Sequence, residues 1–170
     1  MAETLVQPDK LSDSQSEYMK LIAEIMEIRK RGEKPLAYIR TYGCQQNVAD
    51  SEKIKGMLSD SGFDFADSPD NADFILFNTC AVREHAEDRV FGNVGALKNL
   101  KRKHPQILIA LCGCMMEQEH VANRIYKSFP FVGLVFGTHS LHHFPELMYN
   151  SLVNGKRVFE RGNDDNKIYE

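Results

Sequence analysis

Four cysteines, at positions 44, 80, 112 and 114, are the residues of this chain best suited to chemistry. The sequence holds no apolar run of about 18 residues that would span a membrane, and its first residues do not resemble a signal peptide. We therefore expect a cytoplasmic protein in a reducing compartment, with no membrane partner. Four cysteines are too few there for a disulfide scaffold, and they indicate a metal or redox role.

The composition excludes several classes of protein. Hydrophobic residues make up 42% of the chain and charged residues 26%, which is typical of a globular protein and excludes a disordered or collagen-like one. The 24 acidic residues outnumber the 21 basic ones, so the net charge of −3 argues against a general nucleic-acid coat. A local basic patch is compatible with that balance. A chain of 170 residues is long enough to bury a core without disulfides.

The elements that position the cysteines follow from the apolar pattern. Apolar and strand-forming runs predict strands at 36–42, 63–65, 73–79, 107–111 and 131–136. Helical spacing of apolar residues predicts helices at 47–61, 83–103, 116–128 and 140–152. Strands that alternate with helices in this way predict a three-layer α/β/α domain with a mainly parallel sheet.

Two further segments flank the predicted domain, which we place at 35–152. Apolar residues at helical spacing from Tyr18 to Ile28 predict an amphipathic helix over 14–31, within an N-terminal extension of residues 1–34. Residues 153–170 are polar and charged, and we expect them to form a linker.

Each cysteine comes directly after a predicted strand. Cys44 follows the first strand, Cys80 follows the 73–79 strand, and Cys112 and Cys114 follow the 107–111 strand. In an open α/β sheet, ligands bind at the carboxyl ends of the strands. We therefore predict that three loops bring their thiols to one point.

Thiolates are soft ligands that suit zinc or an iron–sulfur cluster. A structural zinc site usually takes four ligands in CxxC pairs, whereas the close pair here is CxC. A cluster held by three cysteines, with one iron left open, fits three loops better. Gly43 and Gly113 lie beside the cysteines, and glycine allows a close approach of the backbone. For any single cysteine, burial as a small apolar residue is an open alternative.

Three short motifs carry a resemblance to a known family. They are YGCQQN at 42–47, NTCAVRE at 78–84 and Gly113-Cys114. In order and spacing, over about residues 35–150, they resemble the N-terminal domain of the radical-SAM methylthiotransferases. The second motif favours the branch that modifies N6-isopentenyl-adenosine in tRNA. The ribosomal-protein and threonylcarbamoyl-adenosine branches are the alternatives within the family.

The resemblance implies an auxiliary [4Fe-4S] cluster bound by Cys44, Cys80 and Cys114. The cluster would carry or donate sulfur. A second [4Fe-4S] cluster, in a central domain of the full-length enzyme, would cleave S-adenosylmethionine with electrons from a donor protein. The product would carry a methylthio group at C2 of the adenosine next to the tRNA anticodon. Asn47 and Arg83 would support the cluster or contact the substrate, and Asn47 is also a natural helix cap.

The sequence departs from the family pattern in two ways. Cys112 is an extra cysteine, which we expect to be buried, although a role as a competing ligand is open. The CxxxCxxC motif of the radical-SAM core is absent from the 170 residues. We therefore expect a fragment of a longer enzyme that is inactive alone. We separately expect the chain to be a monomer. Rival interpretations are a non-catalytic flavodoxin-like module, in which the cysteines are structural, and a zinc-binding module.

Overall fold

The structure is a computed structural model that describes residues 8–80, 86–161 and 165–169, with side chains described over 13–80 and 87–160. The helices are α1 (Pro8–Lys30), α2 (Gln45–Asp60), α3 (Ala86–Gly95), α4 (Lys98–Lys103), α5 (Glu119–Ser128) and α6 (Phe144–Asn154). The strands are β1 (Leu36–Thr41), β2 (Asp64–Phe65), β3 (Phe74–Thr79), β4 (Leu108–Gly113), β5 (Leu134–Phe136), β6 (Arg157–Arg161) and β7 (Asp165–Tyr169). Short 3-10 turns at Cys114–Glu117 and Thr138–His143 follow β4 and β5.

The strands form one sheet in the order β2-β1-β3-β4-β5-β6-β7. The first six strands are parallel, and β7 pairs antiparallel with β6. The prediction of a three-layer α/β/α domain with a mainly parallel sheet is therefore confirmed. The order of the first five strands, 2-1-3-4-5, is that of flavodoxin-like folds.

The two central strands explain why the sheet has helices on both faces. Every residue of β3 and β4 is buried. Because side chains alternate along a strand, Leu76 and Ala110 belong to the core that includes residues of α1, α2 and α6. Ile75 and Ile109 belong to the second core, which includes residues of α3 and α5. Fully burying such a side chain contributes about 1.5–3 kcal/mol.

The N-terminal helix is part of the described core. Ile22 is fully buried and Met26 nearly so. The rings of Tyr18 and Tyr149 lie 5.3 Å apart, which holds α1 against α6. The helix begins at Pro8, earlier than the predicted residue 14, and proline suits the first helical position because an N–H there would have no partner within the helix.

Two other predictions of secondary structure differ from the structure. The single helix predicted over 83–103 is two helices within the described residues, α3 and α4. Residues 153–170, predicted as a linker, contain strands β6 and β7, which the apolar pattern did not predict. Val158 and Phe159 explain β6, since they are buried in opposite cores and anchor a strand whose other residues are polar. The division of the chain into extension, domain and linker stays a prediction.

None of the described helices has the length and apolar character needed to cross a membrane.

Candidate functional site

Cys44 lies at the point where β1 gives way to α2. Gly43 has φ +98°, and Cys44 is the extended N-cap residue of α2. Asn47 Oδ1 accepts a hydrogen bond from the backbone N–H of Cys44 at 3.3 Å, and the Cys44 side chain accepts from the backbone N–H of Asn47. The Cys44 thiol is thus exposed and held at the start of a helix.

The surroundings of Cys44 favour its thiolate form. The backbone N–H of Asn47, and then that of Gln46, lower the pKa of Cys44 by donating to the sulfur. A hydrogen bond with the Cys80 side chain lowers the pKa of Cys44 further. A thiolate is the form of cysteine that binds metals and acts as a nucleophile.

Cys80 follows β3 directly and lies against the Gly43 turn. Its side chain is buried. A Cβ at Gly43 would overlap the Cβ of Cys80 and would lie 3.0 Å from the Cys80 sulfur. A glycine at position 43 therefore lets the Cys44 loop approach Cys80.

Cys114 follows β4 after a similar glycine turn. Gly113 has φ +105°, and a Cβ there would overlap the carbonyl oxygen of Thr79. The Cys114 sulfur lies 3.8 Å from that same carbonyl oxygen, where it forms a long hydrogen bond. Because Thr79 precedes Cys80, the loops that carry Cys114 and Cys80 are adjacent.

Cys112 belongs to a different environment. It lies within β4, opposite Asn78 of β3 and Phe136 of β5, and only 2% of its surface is exposed. Burial, and then the Asp50 carboxylate, raise the pKa of Cys112 far above its ordinary value. The prediction that Cys112 follows the strand is wrong, because β4 extends to Gly113. The expectation that its thiol is buried is confirmed.

A buried polar network joins the strand ends that carry the cysteines. Asn47 Nδ2 donates to Asn78 Oδ1 at 3.1 Å and to the Thr79 carbonyl at 2.9 Å. Asn78 Nδ2 donates to the Asn47 carbonyl at 2.8 Å and to Ser51 Oγ at 3.0 Å. The Ser51 hydroxyl is in turn 2.7 Å from that of Thr41. The network fixes α2 against the ends of β1 and β3.

The network also changes the interpretation of Asn47. The helix begins at Gln45 with Cys44 as its N-cap, so Asn47 is the third helical residue rather than the cap. Sequence reasoning missed Asn78, Ser51 and Thr41. The signal for Asn78 was present, because it stands two residues before Cys80 in the NTC motif. Arg83 lies outside the described residues.

The three cysteines of the predicted site therefore lie on neighbouring loops. Gly43, the residue before Cys44, lies against the Cys80 side chain, and the Cys114 sulfur lies 3.8 Å from the carbonyl oxygen of Thr79, the residue before Cys80. Over residues 8–80, 86–161 and 165–169, no three His, Cys, Asp or Glu side chains are already arranged to hold a metal ion. Three thiols are nevertheless the donor set that suits an iron–sulfur cluster. Both glycine turns bring their loops close to the segment that ends in Cys80, since a Cβ at Gly43 would overlap Cys80 and a Cβ at Gly113 would overlap Thr79.

These features define a class of protein: an α/β domain of flavodoxin-like strand order with thiols along the carboxyl edge of its sheet. The chain belongs to the uncharacterized protein family UPF0004, whose family model matches residues 36–137.

Curated relatives of this chain are enzymes of tRNA modification by name. It is 49% identical over 141 residues to a tRNA-2-methylthio-N(6)-dimethylallyladenosine synthase of Caldicellulosiruptor saccharolyticus, covering 83% of this chain and 30% of the relative. A synthase of the same name from Clostridium perfringens is 47% identical over 145 residues, covering 85% and 32%. The chain therefore spans about a third of the length of these relatives. The resemblance to the N-terminal domain of the methylthiotransferases is confirmed.

Proposed function

We propose that this chain is the auxiliary-cluster domain of a tRNA methylthiotransferase, in which Cys44, Cys80 and Cys114 bind a [4Fe-4S] cluster. The observation that carries the proposal is the meeting of three loops. The Gly43 turn that carries Cys44 packs directly against the Cys80 side chain, and the Cys114 thiol forms a long hydrogen bond with the carbonyl of Thr79, the residue before Cys80. The relatives' names support the same assignment.

The protein's own residues contribute in three ways. The helix N-terminus stabilises the Cys44 thiolate, which is the form that binds metal. The network around Asn47 and Asn78 holds the loops in place. Cys112 is not a ligand, since its thiol is buried among apolar side chains and kept protonated. When bound, a cluster with three protein ligands supplies an open iron at which sulfur is carried to the substrate.

The longer enzyme adds a methylthio group to C2 of N6-isopentenyl-adenosine beside the tRNA anticodon. It does so with a second [4Fe-4S] cluster, S-adenosylmethionine and an electron donor, all bound outside this chain. The names of the relatives support the substrate. This chain contains no CxxxCxxC motif, so it is inactive alone.

Anaerobic reconstitution with iron and sulfide tests the cysteine assignment. The wild-type chain is expected to take up about four irons and four sulfides, with the visible absorption of a cluster. The Cys44→Ala/Cys80→Ala/Cys114→Ala variant is expected to take up almost none. Cys112→Ala is the matched control, because it removes a thiol two residues from Cys114 and is expected to load like the wild type.

Three results would contradict the cluster assignment. One is equal, negligible iron in the wild type and the triple variant, which favours structural cysteines. Another is stable zinc without iron, which favours a zinc module. The third is loss of the cluster in Cys112→Ala alone.

The substrate is tested separately, with the gene for the longer enzyme. Its deletion is expected to abolish 2-methylthio-adenosine derivatives in digested tRNA, and the intact gene is expected to restore them. Unchanged levels of these nucleosides in the deletion strain would assign the enzyme to another branch of the family.

A further inference from the structure

A groove lies between α1 and α2, on the side of the sheet where the Cys44 loop enters α2. Its volume is about 790 Å³, within the range of about 300–1,000 Å³ that is usual for ligand pockets. Gln15 of α1, Gln46 and Asp50 of α2, and the turn Thr138–His143 after β5 line it. We call it the α1–α2 groove. Because Gln46 is two residues from Cys44, the groove adjoins the cysteine edge without containing a cysteine.

A buried carboxylate of α2 lines the groove without a cation beside it. Asp50 is only 7% exposed. Gln46 Nε2 donates to Asp50 Oδ1 at 2.9 Å, and over the described part of the chain Asp50 forms no ion pair. A buried aspartate is usually paired with a positive charge, because burial removes its hydration. Asp50 is therefore an acceptor that a cationic ligand in the groove would satisfy.

The other titratable groups of the groove do not provide that cation. Lys53 and Asp60 are exposed residues of opposite charge that also line it, so they offset each other in the total charge of the groove. Burial, and then the charge of His143, lower the pKa of His142, so its imidazole is neutral at neutral pH. The charge of Asp50 thus leaves the groove with a net negative charge.

A buried amide of α1 has the complementary deficiency, a donor without an acceptor. Gln15 is 6% exposed, and its Oε1 accepts from the backbone N–H of Glu146 at 3.1 Å. Because that N–H can only donate, the amide oxygen must lie toward it, and Nε2 is the atom left over. Nε2 is buried, and none of the described residues accepts a hydrogen bond from it. A buried donor without a partner is unfavourable, so a ligand carbonyl that accepts from Gln15 would stabilise the complex.

Apolar side chains complete the groove. Met19 of α1, Met57 of α2 and Leu141 of the turn after β5 line it, and each is half-buried. Thioether side chains are flexible and adapt to the shape of an apolar ligand. A matching ligand therefore carries a cation, an apolar segment and a carbonyl group.

We propose that the α1–α2 groove binds a lysine side chain presented by a partner polypeptide. Lysine carries an ammonium group on an apolar stem, and its backbone carbonyl supplies the acceptor for Gln15. Arginine matches less well, because a guanidinium pairs best with both oxygens of a carboxylate, and Asp50 Oδ1 already accepts from Gln46. A polyamine lacks the carbonyl, and free lysine adds an α-ammonium for which the described groove holds no second buried carboxylate.

The test titrates the isotope-labelled 170-residue chain with N-acetyl-lysine-N-methylamide, a lysine residue with both ends blocked, and follows backbone amide signals by NMR. Saturable shifts are expected in the segments of α1 and α2 that line the groove. N-acetyl-norleucine-N-methylamide keeps the backbone and the stem but lacks the ammonium, and it is expected to bind about tenfold more weakly or less, the factor of a charge-assisted hydrogen bond. Pentylamine keeps the ammonium and the stem but lacks the carbonyl, and it is expected to bind several-fold more weakly.

Two variants assign the contacts to residues. Asp50→Asn removes the charge while keeping the shape, and it is expected to weaken binding of the blocked lysine about tenfold. Gln15→Glu keeps an oxygen for the Glu146 N–H but replaces the free donor, and it is expected to weaken binding of the blocked lysine more than that of pentylamine. Asp67→Asn is the matched control: it makes the same change of charge at an exposed position outside the groove and is expected to keep the wild-type affinity. Unfolding curves check that each variant is folded, and the series of ligands on the wild type tests the proposal even where a variant is not.

Three results would overturn the proposal. One is equal affinity of the wild type for the blocked lysine and the blocked norleucine, which would mean that the groove does not recognise the cation. Another is wild-type affinity for the blocked lysine in a folded Asp50→Asn variant. The third is tighter binding of pentylamine or of free lysine than of the blocked lysine, which would assign the groove to a small amine or a free amino acid.

Discussion

Replacement of Asn47 by alanine is expected to destabilise the domain strongly, because Asn47 links α2 to the end of β3. The Asn47 side chain is 5% exposed. Its amide donates two good hydrogen bonds, to Asn78 Oδ1 and to the Thr79 carbonyl, and accepts a longer one from Cys44. Asn47→Ala removes these three hydrogen bonds and leaves their buried or half-buried partner groups without an acceptor or donor.

The size of the effect follows from those bonds. A hydrogen bond contributes about 0.5–1.5 kcal/mol net, and a buried group left without its partner costs about 1–3 kcal/mol. We therefore expect Asn47→Ala to lower the free energy of unfolding by about 2–4 kcal/mol. For a domain of this size, each kcal/mol shifts Tm by about 2–4 °C, so Tm is expected to fall by roughly 5–15 °C.

Urea unfolding followed by circular dichroism measures the change, with constant m values as the check that the unfolded state is unchanged. Asn123→Ala is the control, since Asn123 is also helical but exposed on α5. Both substitutions replace an asparagine by alanine within a helix, so the difference between them reports mainly on the buried hydrogen bonds of Asn47. If the two variants differ by less than about 0.5 kcal/mol, within the range of ordinary surface substitutions, the network does not stabilise the fold.

Three further predictions concern other sites. Gly113→Ala is expected to destabilise the chain by at least about 1–3 kcal/mol in urea unfolding, because position 113 has a positive φ and no room for a Cβ. Gly56 is a helical glycine with open space around it, so Gly56→Ala is expected to raise the free energy of unfolding by about 0.5–1 kcal/mol. A Gly113→Ala variant more stable than Gly56→Ala would refute this reasoning. In the cluster-free chain, iodoacetamide is expected to modify Cys44 at a lower pH than Cys112, because N–H donors lower the pKa of Cys44 and burial raises the pKa of Cys112. Peptide mass spectrometry measures the extent of modification at each cysteine, and equal pH profiles for the two would contradict this prediction. Burial, and then the neighbouring Glu146 carboxylate, raise the pKa of Glu160. The folded protein therefore favours the neutral form of Glu160, and it loses stability as the pH rises past the ordinary pKa of glutamate. Glu160→Gln is expected to raise Tm at neutral pH and to leave it unchanged in acid, and a lower Tm at neutral pH would count against the assignment.

The central strands and the cysteine edge were predictable from the sequence, for a physical reason. A strand buried on both faces must be apolar at successive positions, so β3 and β4 stand out as continuous apolar runs. The polar residues and cysteines at the end of each apolar run then mark the edge of the sheet at which the parallel strands end. Strand β6 was not predictable in this way, because two buried side chains among polar residues give no such run.

The positions of Cys112 and Asn47 were less predictable because they depend on local geometry and long-range contact. The end of β4 is set by the positive φ of Gly113, which moves Cys112 into the strand. Asn47 forms hydrogen bonds with Asn78 and Thr79, which lie about thirty residues further along the sequence. Only the parallel pairing of β1 with β3 brings these residues together. The residue type predicted that Asn47 caps a helix, whereas in the structure its side chain links α2 to the end of β3.

The unequal ends of the sheet bear on how the protein associates at high concentration. One end is β2, which pairs over only two residues and so offers almost no template for another strand. The other is β7, a five-residue antiparallel strand whose outer backbone groups are available for pairing in the described sheet. Exposed edge strands are the usual route to intermolecular β-pairing. Any fibril or strand-exchanged dimer of this chain is therefore expected to grow from β7, and proline substitutions there are the natural means of suppressing it.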